Sequence, residues 1–260
     1  NGLKYMFVPG WAVANGVIEE APDFLTVLAT AGGQMFFSLS LGMGAMITYG
    51  SYLQKKENIQ KNALLIVVMD TLVALMAGLC VLPGRFALDP NGALGGPKLL
   101  FITMQNVFDR MDAVGPIFGI IFYLLVVFAA ISSSISLLEV IVAHFVDKAR
   151  DEGKGDKRKA YTLIAAACVG LGCILVCADA LGTTGFAPGN LLGMTGDLPT
   201  WAADWLDFFD MLSEGIMMPL GAMLMSLMIG WEIGPEVIKG EVEQSGHAMG
   251  SYGFFKICVK

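Results

Sequence analysis

Charged side chains are scarce in this sequence. Asp, Glu, Lys and Arg make up 15% of its 260 residues, whereas a soluble domain usually contains about 25%. None of them occurs between Asp23 and Lys55, and about 20 apolar residues are enough to cross the hydrocarbon core of a bilayer. The hydrophobic share is 55% and the mean hydropathy is +0.67. This composition excludes an ordinary soluble domain and predicts an all-α, polytopic membrane protein in a lipid bilayer.

Residue patterns typical of catalysis and metal binding are lacking as well. His144 and His247 have no metal-ligand neighbours, and the spacing of the five cysteines suggests no zinc site. The sequence has no Gly-rich phosphate loop, no nucleophile paired with a base and no paired catalytic carboxylates. We therefore expect a protein that is not an enzyme and has no nucleic-acid partner. The cysteines, which all lie in apolar surroundings, are predicted to be buried packing residues: Cys80, Cys168, Cys173, Cys177 and Cys258.

Apolar segments of membrane-spanning length recur along the chain. We predict helices over approximately residues 24–53, 63–83, 114–146, 160–178 and 205–231, and the start of another at 250. The connection 85–112 is long and rich in Gly and Pro, and it is expected to carry short re-entrant or surface helices. Because the chain begins with Asn1 and stops within its last predicted helix, we expect residues 1–260 to be a partial transmembrane domain of a longer protein.

Basic residues are unevenly distributed among the connections. They concentrate in residues 54–61 and 147–159 and are few in residues 1–23, 85–112 and 179–204. Loops rich in Lys and Arg usually lie on the cytoplasmic side. We therefore predict that 54–61 and 147–159 are cytoplasmic, together with 232–247, and this assignment agrees with strict alternation of the spans.

The first predicted span contains poor helix material. Small and polar residues alternate with larger apolar ones from Ser38 to Gly44, and glycine costs roughly 1 kcal/mol relative to alanine inside a helix. We predict a helix to about Ser38, an unwound segment over 39–43 and a second helix from Gly44. Unwinding would free carbonyl groups for cations and expose the positive N-terminus of the second half. A flexible membrane helix whose small residues allow close packing is an equally supported alternative.

Polar side chains also occur where lipid is expected. Asp70 lies about 12 Å into the second span at 1.5 Å per residue, and an intramembrane carboxylate is a candidate functional residue, either as a cation ligand or as a proton carrier. A structural hydrogen bond is the less favoured alternative. In the third span, Ala129 precedes the serines 132–134 by one turn. Hydroxyl and carbonyl oxygens suit sodium, but the residues alone favour hydrogen bonds between helices.

Two of these segments resemble a known family. GQMFFSLSLGMGAMITYGSY is similar to the sixth transmembrane helix of bacterial neurotransmitter:sodium symporters, and FAAISSSIS is similar to the eighth. The resemblance implies helices six to ten and the start of the eleventh, in an inverted-repeat transporter bundle with a discontinuous first helix. It further implies sodium-coupled symport of an amino acid by alternating access, in the bacterial inner membrane. The missing N-terminal helices of the same protein are expected to be needed.

The resemblance also implies two sodium sites. Ser38 and Asp70 match ligands of the first sodium, although the family usually has asparagine at the Asp70 position. The Ala129 carbonyl and the Ser132 and Ser133 hydroxyls match ligands of the second, where the family often has threonine at the Ser132 position.

The chloride dependence of the family bears on the second span. Chloride-dependent members carry a serine one turn after the Asp70 position, where this sequence has Ala74. We therefore expect that chloride is not required and that Asp70 supplies the negative charge.

Substrate contacts follow from the same resemblance. The backbone around Phe37 and Ser38, with the Ser40 hydroxyl, would receive the substrate's amino group. Met43, Ser133 and Leu137 would line its side-chain pocket. Methionine packs adaptably against aromatics, so a hydrophobic or aromatic amino acid is expected. Phe37 would close over the substrate, and Asp210 matches an acidic residue of the outer gate, with Asp207 as the alternative.

Two further functions stay open on the residues alone. A gated ion channel would need a continuous polar face along several spans, whereas the polar residues here cluster near mid-membrane. A sensor that binds an amino acid without moving it would usually need a signalling module. Outside these sites, Glu139 is expected to pair with a polar group on the cytoplasmic side, and Glu214 with Pro219 makes a kink plausible in the fifth span.

Overall fold

Helices are the main secondary structure in the part of the chain that the structure describes. The computed structural model describes residues 1–8, 10–92, 95–155, 157–196, 198–244 and 246–260, and its regular secondary structure there contains no strand. Four helical segments are long and apolar enough to cross a membrane: Ile59–Leu88, Asp112–Asp151, Arg158–Asp179 and Trp205–Ile233. The predicted all-α polytopic fold is therefore confirmed.

The chain divides into two compact units. The first comprises Asn1–Thr26 and Leu64–Ser133, and the second comprises Val27–Ala63 and Ser134–Lys260. Three helices supply residues to both units: α3 (Phe24–Ser38), α5 (Ile59–Leu88) and α8 (Gly115–Asp151).

The first unit packs around the connection between α5 and α8. It begins with the short helices α1 (Gly2–Phe7) and α2 (Trp11–Ala14), and the connection holds α6 (Gly96–Lys98), a π-helical turn (Leu99–Thr103) and α7 (Met104–Asp109). The buried core of this unit consists of three side chains of α7, Met104, Val107 and Phe108. They pack against aromatic rings of α8. The expected short helices in this connection are therefore present.

The helix α5 continues past the predicted end at residue 83. Pro83 lies inside the helix, which ends at Leu88. Arg85, two residues after Pro83, has a buried side chain, and its Nε donates a hydrogen bond to the Gly92 carbonyl over 3.2 Å. This hydrogen bond links the end of α5 to the connection that follows it. The helix therefore extends beyond the apolar run from which its end was predicted.

The second unit contains the remaining α-helices that the structure describes. They are α4 (Ala45–Ser51), α9 (Arg158–Asp179), α10 (Pro188–Leu191), α11 (Thr200–Ala203), α12 (Trp205–Asp210), α13 (Met218–Leu227), α14 (Pro235–Glu243) and α15 (Tyr252–Val259). Two π-helical segments, Met211–Met217 and Met228–Ile233, flank α13. The long apolar segment Trp205–Ile233 is therefore not one regular α-helix.

The prediction of buried cysteines is wrong. Cys80, Cys168, Cys173, Cys177 and Cys258 are all free and exposed. The spans that carry them are apolar all round, because lipid and not only protein interior accepts apolar side chains. An apolar neighbourhood in the sequence of a membrane helix therefore does not indicate burial.

Candidate functional site

The interruption of the first span is the central feature of the site. The helix α3 ends at Ser38, residues 39–44 are not helical, and α4 begins at Ala45. Ser40, Gly42 and Gly44 have positive φ angles of 55°, 77° and 81°. The left-handed conformation costs a non-glycine residue about 1–2 kcal/mol, so Ser40 is held there by its surroundings. Alternating left-handed residues therefore turn the chain out of the helix, at the place where the sequence alternates small and large residues.

Backbone hydrogen bonds close the end of α3. The Leu39 N–H donates to the Met35 carbonyl at 3.1 Å, the Ser40 N–H to Phe37 at 3.0 Å and the Leu41 N–H to Phe36 at 2.8 Å. Helix ends leave their last carbonyls without helical partners, and these bonds satisfy part of that set. The interruption is thus an ordered helix end and not a loose loop.

The serine segment of α8 keeps its helical backbone. The Ser132 hydroxyl donates to the Ala129 carbonyl at 2.9 Å, so the two oxygens that sequence reasoning assigned to one sodium site lie side by side. Ser132 and Ser133 are exposed on the helix surface. A carbonyl and a hydroxyl at this spacing offer two oxygen donors to a hard cation.

The two predicted ligands of the other sodium lie in different units. Asp70 is a half-buried residue of α5 in the first unit. Ser38 is the last residue of α3 and belongs to the second unit. Within the described residues, no group of three or more His, Cys, Asp and Glu side chains is arranged to hold a metal ion.

The predicted substrate residues have different surroundings. Phe37 is 46% exposed and Leu137 is 43% exposed, whereas Ser40 and Met43 are half-buried. Met43 lies at the edge of a cavity of about 540 Å³ between α4 and α8, within the second unit. Its other lining residues are Gly44, Ile47, Thr48, Ser51, Val140, Ile141, Ala143, His144, Phe145 and Asp147. The structure therefore places Met43 against the half of α8 that follows Leu137.

A polar network joins three helices of the second unit. The Tyr52 hydroxyl, just after α4, donates to Glu139 Oε1 on α8 at 2.8 Å, and Arg158 Nη2, at the start of α9, donates to Glu139 Oε2 at 2.5 Å. A polar partner for Glu139 was expected, but Tyr52 and Arg158 were missed. The available signal in the sequence was position: Tyr52 lies at the end of one apolar segment and Arg158 at the start of another.

The two candidate gate residues, Asp207 and Asp210, lie near the two ends of α12. Asp210, its last residue, is exposed, and its carbonyl accepts a hydrogen bond from the Ser213 hydroxyl. Asp207 lies in the first turn, where its N–H donates to the side chain of the N-cap residue Asp204 at 2.7 Å. A carboxylate in the first turn is favoured by the helix dipole, which gives Asp207 a structural role. Asp210 has no such local role in α12.

Comparison with known proteins places this geometry in a family context. Residues 1–186 match the sodium:neurotransmitter symporter family. An uncharacterized sodium-dependent transporter of Bacillus subtilis is 32% identical over 254 residues, which cover 95% of this chain and 49% of that protein. One of Haemophilus influenzae is 31% identical over 257 residues, covering 91% and 51%. The sodium-dependent nutrient amino acid transporter 1 of Drosophila yakuba is 28% identical over 151 residues, covering 55% and 23%. The chain thus spans about half the length of the two bacterial relatives.

Proposed function

Because the chain belongs to the sodium:neurotransmitter symporter family, we propose that it is part of a transporter that couples sodium to the uptake of a hydrophobic or aromatic amino acid. The observation that carries the proposal is the interruption at residues 39–44. In lipid, non-helical backbone persists only where protein buries it or where it lines a water-filled cavity. Secondary transporters use such discontinuous helices to hold substrates and ions near mid-membrane.

Sodium is proposed to bind through oxygen donors of α3, α5 and α8. Ser38 and Asp70 are assigned to one ion, and the Ala129 carbonyl with the Ser132 and Ser133 hydroxyls to another. The 2.9 Å bond between Ser132 and Ala129 supports the second assignment, because it holds two of the three oxygens together. To bind the ion, the hydroxyl rotates its proton away and presents a lone pair. Chloride is not required in this proposal.

The substrate is proposed to be an amino acid with a hydrophobic or aromatic side chain. The backbone at Phe37 and Ser38 with the Ser40 hydroxyl receives the amino group, while Met43, Ser133 and Leu137 contact the side chain. The left-handed Ser40 supports this role, since backbone strain of this kind often occurs where ligands bind. The amino-acid substrate named for the Drosophila yakuba relative agrees with the class.

Transport is proposed to proceed by alternating access. The basic connections 54–61 and 147–159, and the segment 232–247, face the cytoplasm of a bacterial cell in this proposal. The network of Tyr52, Glu139 and Arg158 then lies at the cytoplasmic end, with Phe37 and Asp210 at the outer gate. Sodium and substrate shift the equilibrium between states only by their difference in affinity for them.

The test is radiolabelled uptake by the whole protein that contains this chain, purified and placed in proteoliposomes. Leucine, tyrosine and tryptophan are supplied with external sodium or potassium. The variants are Asp70→Ala and Ser133→Ala. The matched control is Thr71→Ala, whose exposed hydroxyl bonds only the Val67 carbonyl of its own helix at 2.8 Å among the described contacts.

Saturable accumulation that requires the sodium gradient, and that falls in both variants but not in the control, is the expected result. Sodium-dependent binding without accumulation would indicate a sensor. Uptake that rises with substrate concentration without saturating would indicate a channel. Uptake indifferent to sodium would overturn the ion assignments, and loss of uptake when gluconate replaces chloride would overturn the chloride proposal.

A further inference from the structure

The interrupted helix is in very close backbone contact with the last long apolar segment. A Cβ atom built on Gly42 would lie 2.1 Å from the Met218 carbonyl oxygen and 2.9 Å from its carbon. A Cβ atom on Gly221 would lie 2.3 Å from the Gly42 carbonyl oxygen. All three residues belong to the second unit. Any side chain at either glycine therefore displaces backbone from backbone.

The two glycines are needed for different reasons. Gly42 has a φ of 77°, so its conformation already favours glycine. Gly221 lies inside α13, where glycine costs roughly 1 kcal/mol relative to alanine, and it is not among the residues with positive φ. Local conformation therefore does not explain Gly221. The hydrogen that stands in place of its side chain points at the Gly42 carbonyl oxygen, as in the weak Cα–H···O contacts of closely packed helices.

The π-helical segment Met211–Met217 lies directly before this contact. Pro219, one residue after Met218, has no N–H to continue regular helical bonding, and it lies in the first turn of α13. Met218, with 7% of its surface exposed, begins α13 at this point. Within the π-helical segment, the Glu214 carbonyl oxygen faces Gly33 of α3, and a Cβ atom built on Gly33 would lie 3.5 Å from that oxygen. The π-helical segment therefore lies against α3 at Gly33, and α13 lies against the interruption that follows α3.

We infer that Gly221 is a positioning residue for the interruption, because its missing side chain lets the Gly42 carbonyl rest on α13 and so fixes the backbone that carries Ser38 and Ser40. The inference rests on the proposed function, in which these two serines contact sodium and substrate. Gly221 itself touches neither. A methyl group at this position moves the interruption away from α13 and misplaces the oxygens of both serines together.

The test compares Gly221→Ala with Gly215→Ala in the whole transporter in proteoliposomes. Gly215 lies in the same apolar segment, and its added Cβ would meet only the Met211 Cγ at 3.8 Å, an ordinary contact. We expect Gly221→Ala to raise the KM for sodium and for leucine by about tenfold, equivalent to about 1.4 kcal/mol. Gly215→Ala is expected to leave both KM values within about twofold, equivalent to about 0.4 kcal/mol.

The readouts separate positioning from folding. A purely structural role for Gly221 lowers Vmax and the yield of folded protein while both KM values stay at the parental level, and that result overturns the inference. Equal KM values in the two variants overturn it as well. Absence of sodium-dependent uptake in the parent overturns the proposed function itself, so the two failures are distinguishable.

A second measurement covers the case in which Gly221→Ala does not fold. Spin labels are placed on Ile47 of α4 and Leu224 of α13, both exposed, after every cysteine of the whole protein, including the five of this chain, has been replaced by alanine. A lasting backbone contact between Gly42 and α13 predicts a single narrow distance distribution in sodium and in potassium. A broad distribution, or one that changes between the two salts, overturns the inference.

Discussion

The two helical segments proposed to bind sodium expose their backbone oxygens in different ways. In the first span the helix stops, and residues 39–44 leave regular hydrogen bonding. In α8 the helix runs unbroken from Gly115 to Asp151, and the Ser132 hydroxyl reaches the Ala129 carbonyl. The first arrangement needs glycine and strained φ angles, whereas the second needs one small residue and one hydroxyl.

The difference predicts how each segment responds to substitution. Non-helical backbone in an apolar environment depends on contacts that hold it, such as those of Gly42 with α13. A continuous helix satisfies its own backbone bonds. Changes at the interruption should therefore affect both folding and binding, whereas changes in the serine segment should affect binding alone.

Replacing Gly42 by alanine should have the largest effect. An alanine methyl group at this position would lie 2.1 Å from the Met218 carbonyl oxygen, and alanine is also disfavoured at the left-handed φ of 77°. Together the two effects should cost about 2 kcal/mol or more. Thermal unfolding of the purified protein measures the loss. Gly50→Ala in α4 is the control, since its Cβ would meet nothing within 4 Å. Equal melting temperatures for the two variants would contradict the close contact.

Removing the Ser132 hydroxyl should have an intermediate effect confined to binding. Ser132→Ala leaves α8 intact, so we expect a change in unfolding free energy within about 0.5 kcal/mol. The affinity for sodium should fall about tenfold, or about 1.4 kcal/mol. Sodium-dependent substrate binding measures it, and Ser132→Thr, which keeps the oxygen, should restore it. If alanine and threonine gave the same sodium affinity, the hydroxyl would not be a ligand.

Neutralising Glu139 should have a smaller effect. Glu139→Gln keeps an acceptor for the Tyr52 hydroxyl and removes the charge that faces Arg158, whose side chain is 52% exposed. Exposed ion pairs contribute about 0.2–1 kcal/mol. A double-mutant cycle with Arg158→Met, in which the free energy of unfolding is measured, isolates the coupling energy of the ion pair. This coupling energy should fall as the salt concentration is raised. A coupling energy of zero at low salt would show that the contact does not stabilise the helices.

The sequence indicated the interruption as one of two equally supported interpretations, because its cause is local. Alternating small residues from Ser38 to Gly44 disfavour a helix, and the chain leaves the helix there. The bounds of the spans were less accurate, since hydropathy follows the apolar run whereas the helix continues into polar residues. The third span, for example, was expected to end at residue 146 but extends to Asp151, with Lys148 and Arg150 in its last turn, where basic side chains favour the helix.

Features that depend on distant partners could not be predicted. Tyr52 and Glu139 are 87 residues apart in the chain, and no local pattern indicates that they meet. The π-helical segment before Met218 has no compositional signal, since it changes which carbonyl each N–H bonds and not which residues are apolar. Pro219 indicated an irregularity in that region but not its form. The contact of Gly42 with Gly221 joins two distant parts of the chain, and it could not be predicted from local pattern either.

Outside the long apolar segments, a contact between α14 and α15 should respond to acid with the smallest effect. Glu236 Oε1 accepts the Tyr252 hydroxyl at 2.9 Å and Lys256 Nζ at 3.2 Å. A hydrogen bond from its own backbone, followed by these two contacts, lowers the pKa of Glu236 from 4.5 to about 2. Because the folded pKa is the lower one, the carboxylate stabilises this contact above pH 4.5, and the stabilisation is lost as the pH falls from about 4.5 toward 2.

Amide hydrogen exchange of residues 235–259 between pH 5 and pH 3 measures this loss, after correction for the intrinsic pH dependence of exchange. We expect protection of α15 to fall in the parent, because the opened state, in which Glu236 has its ordinary pKa of 4.5, takes up a proton at a higher pH than the folded state does. Glu236→Gln, which cannot titrate, should show lower protection at pH 5 and no further change. Glu241→Gln is the control in the same helix, because its carboxylate accepts only the Gln244 side chain among the described contacts. An acid response that persists in Glu236→Gln would show that another titratable group causes the loss of protection. The exposed contact between α14 and α15 would then differ from the contacts of the spans in its position but not in its response to acid.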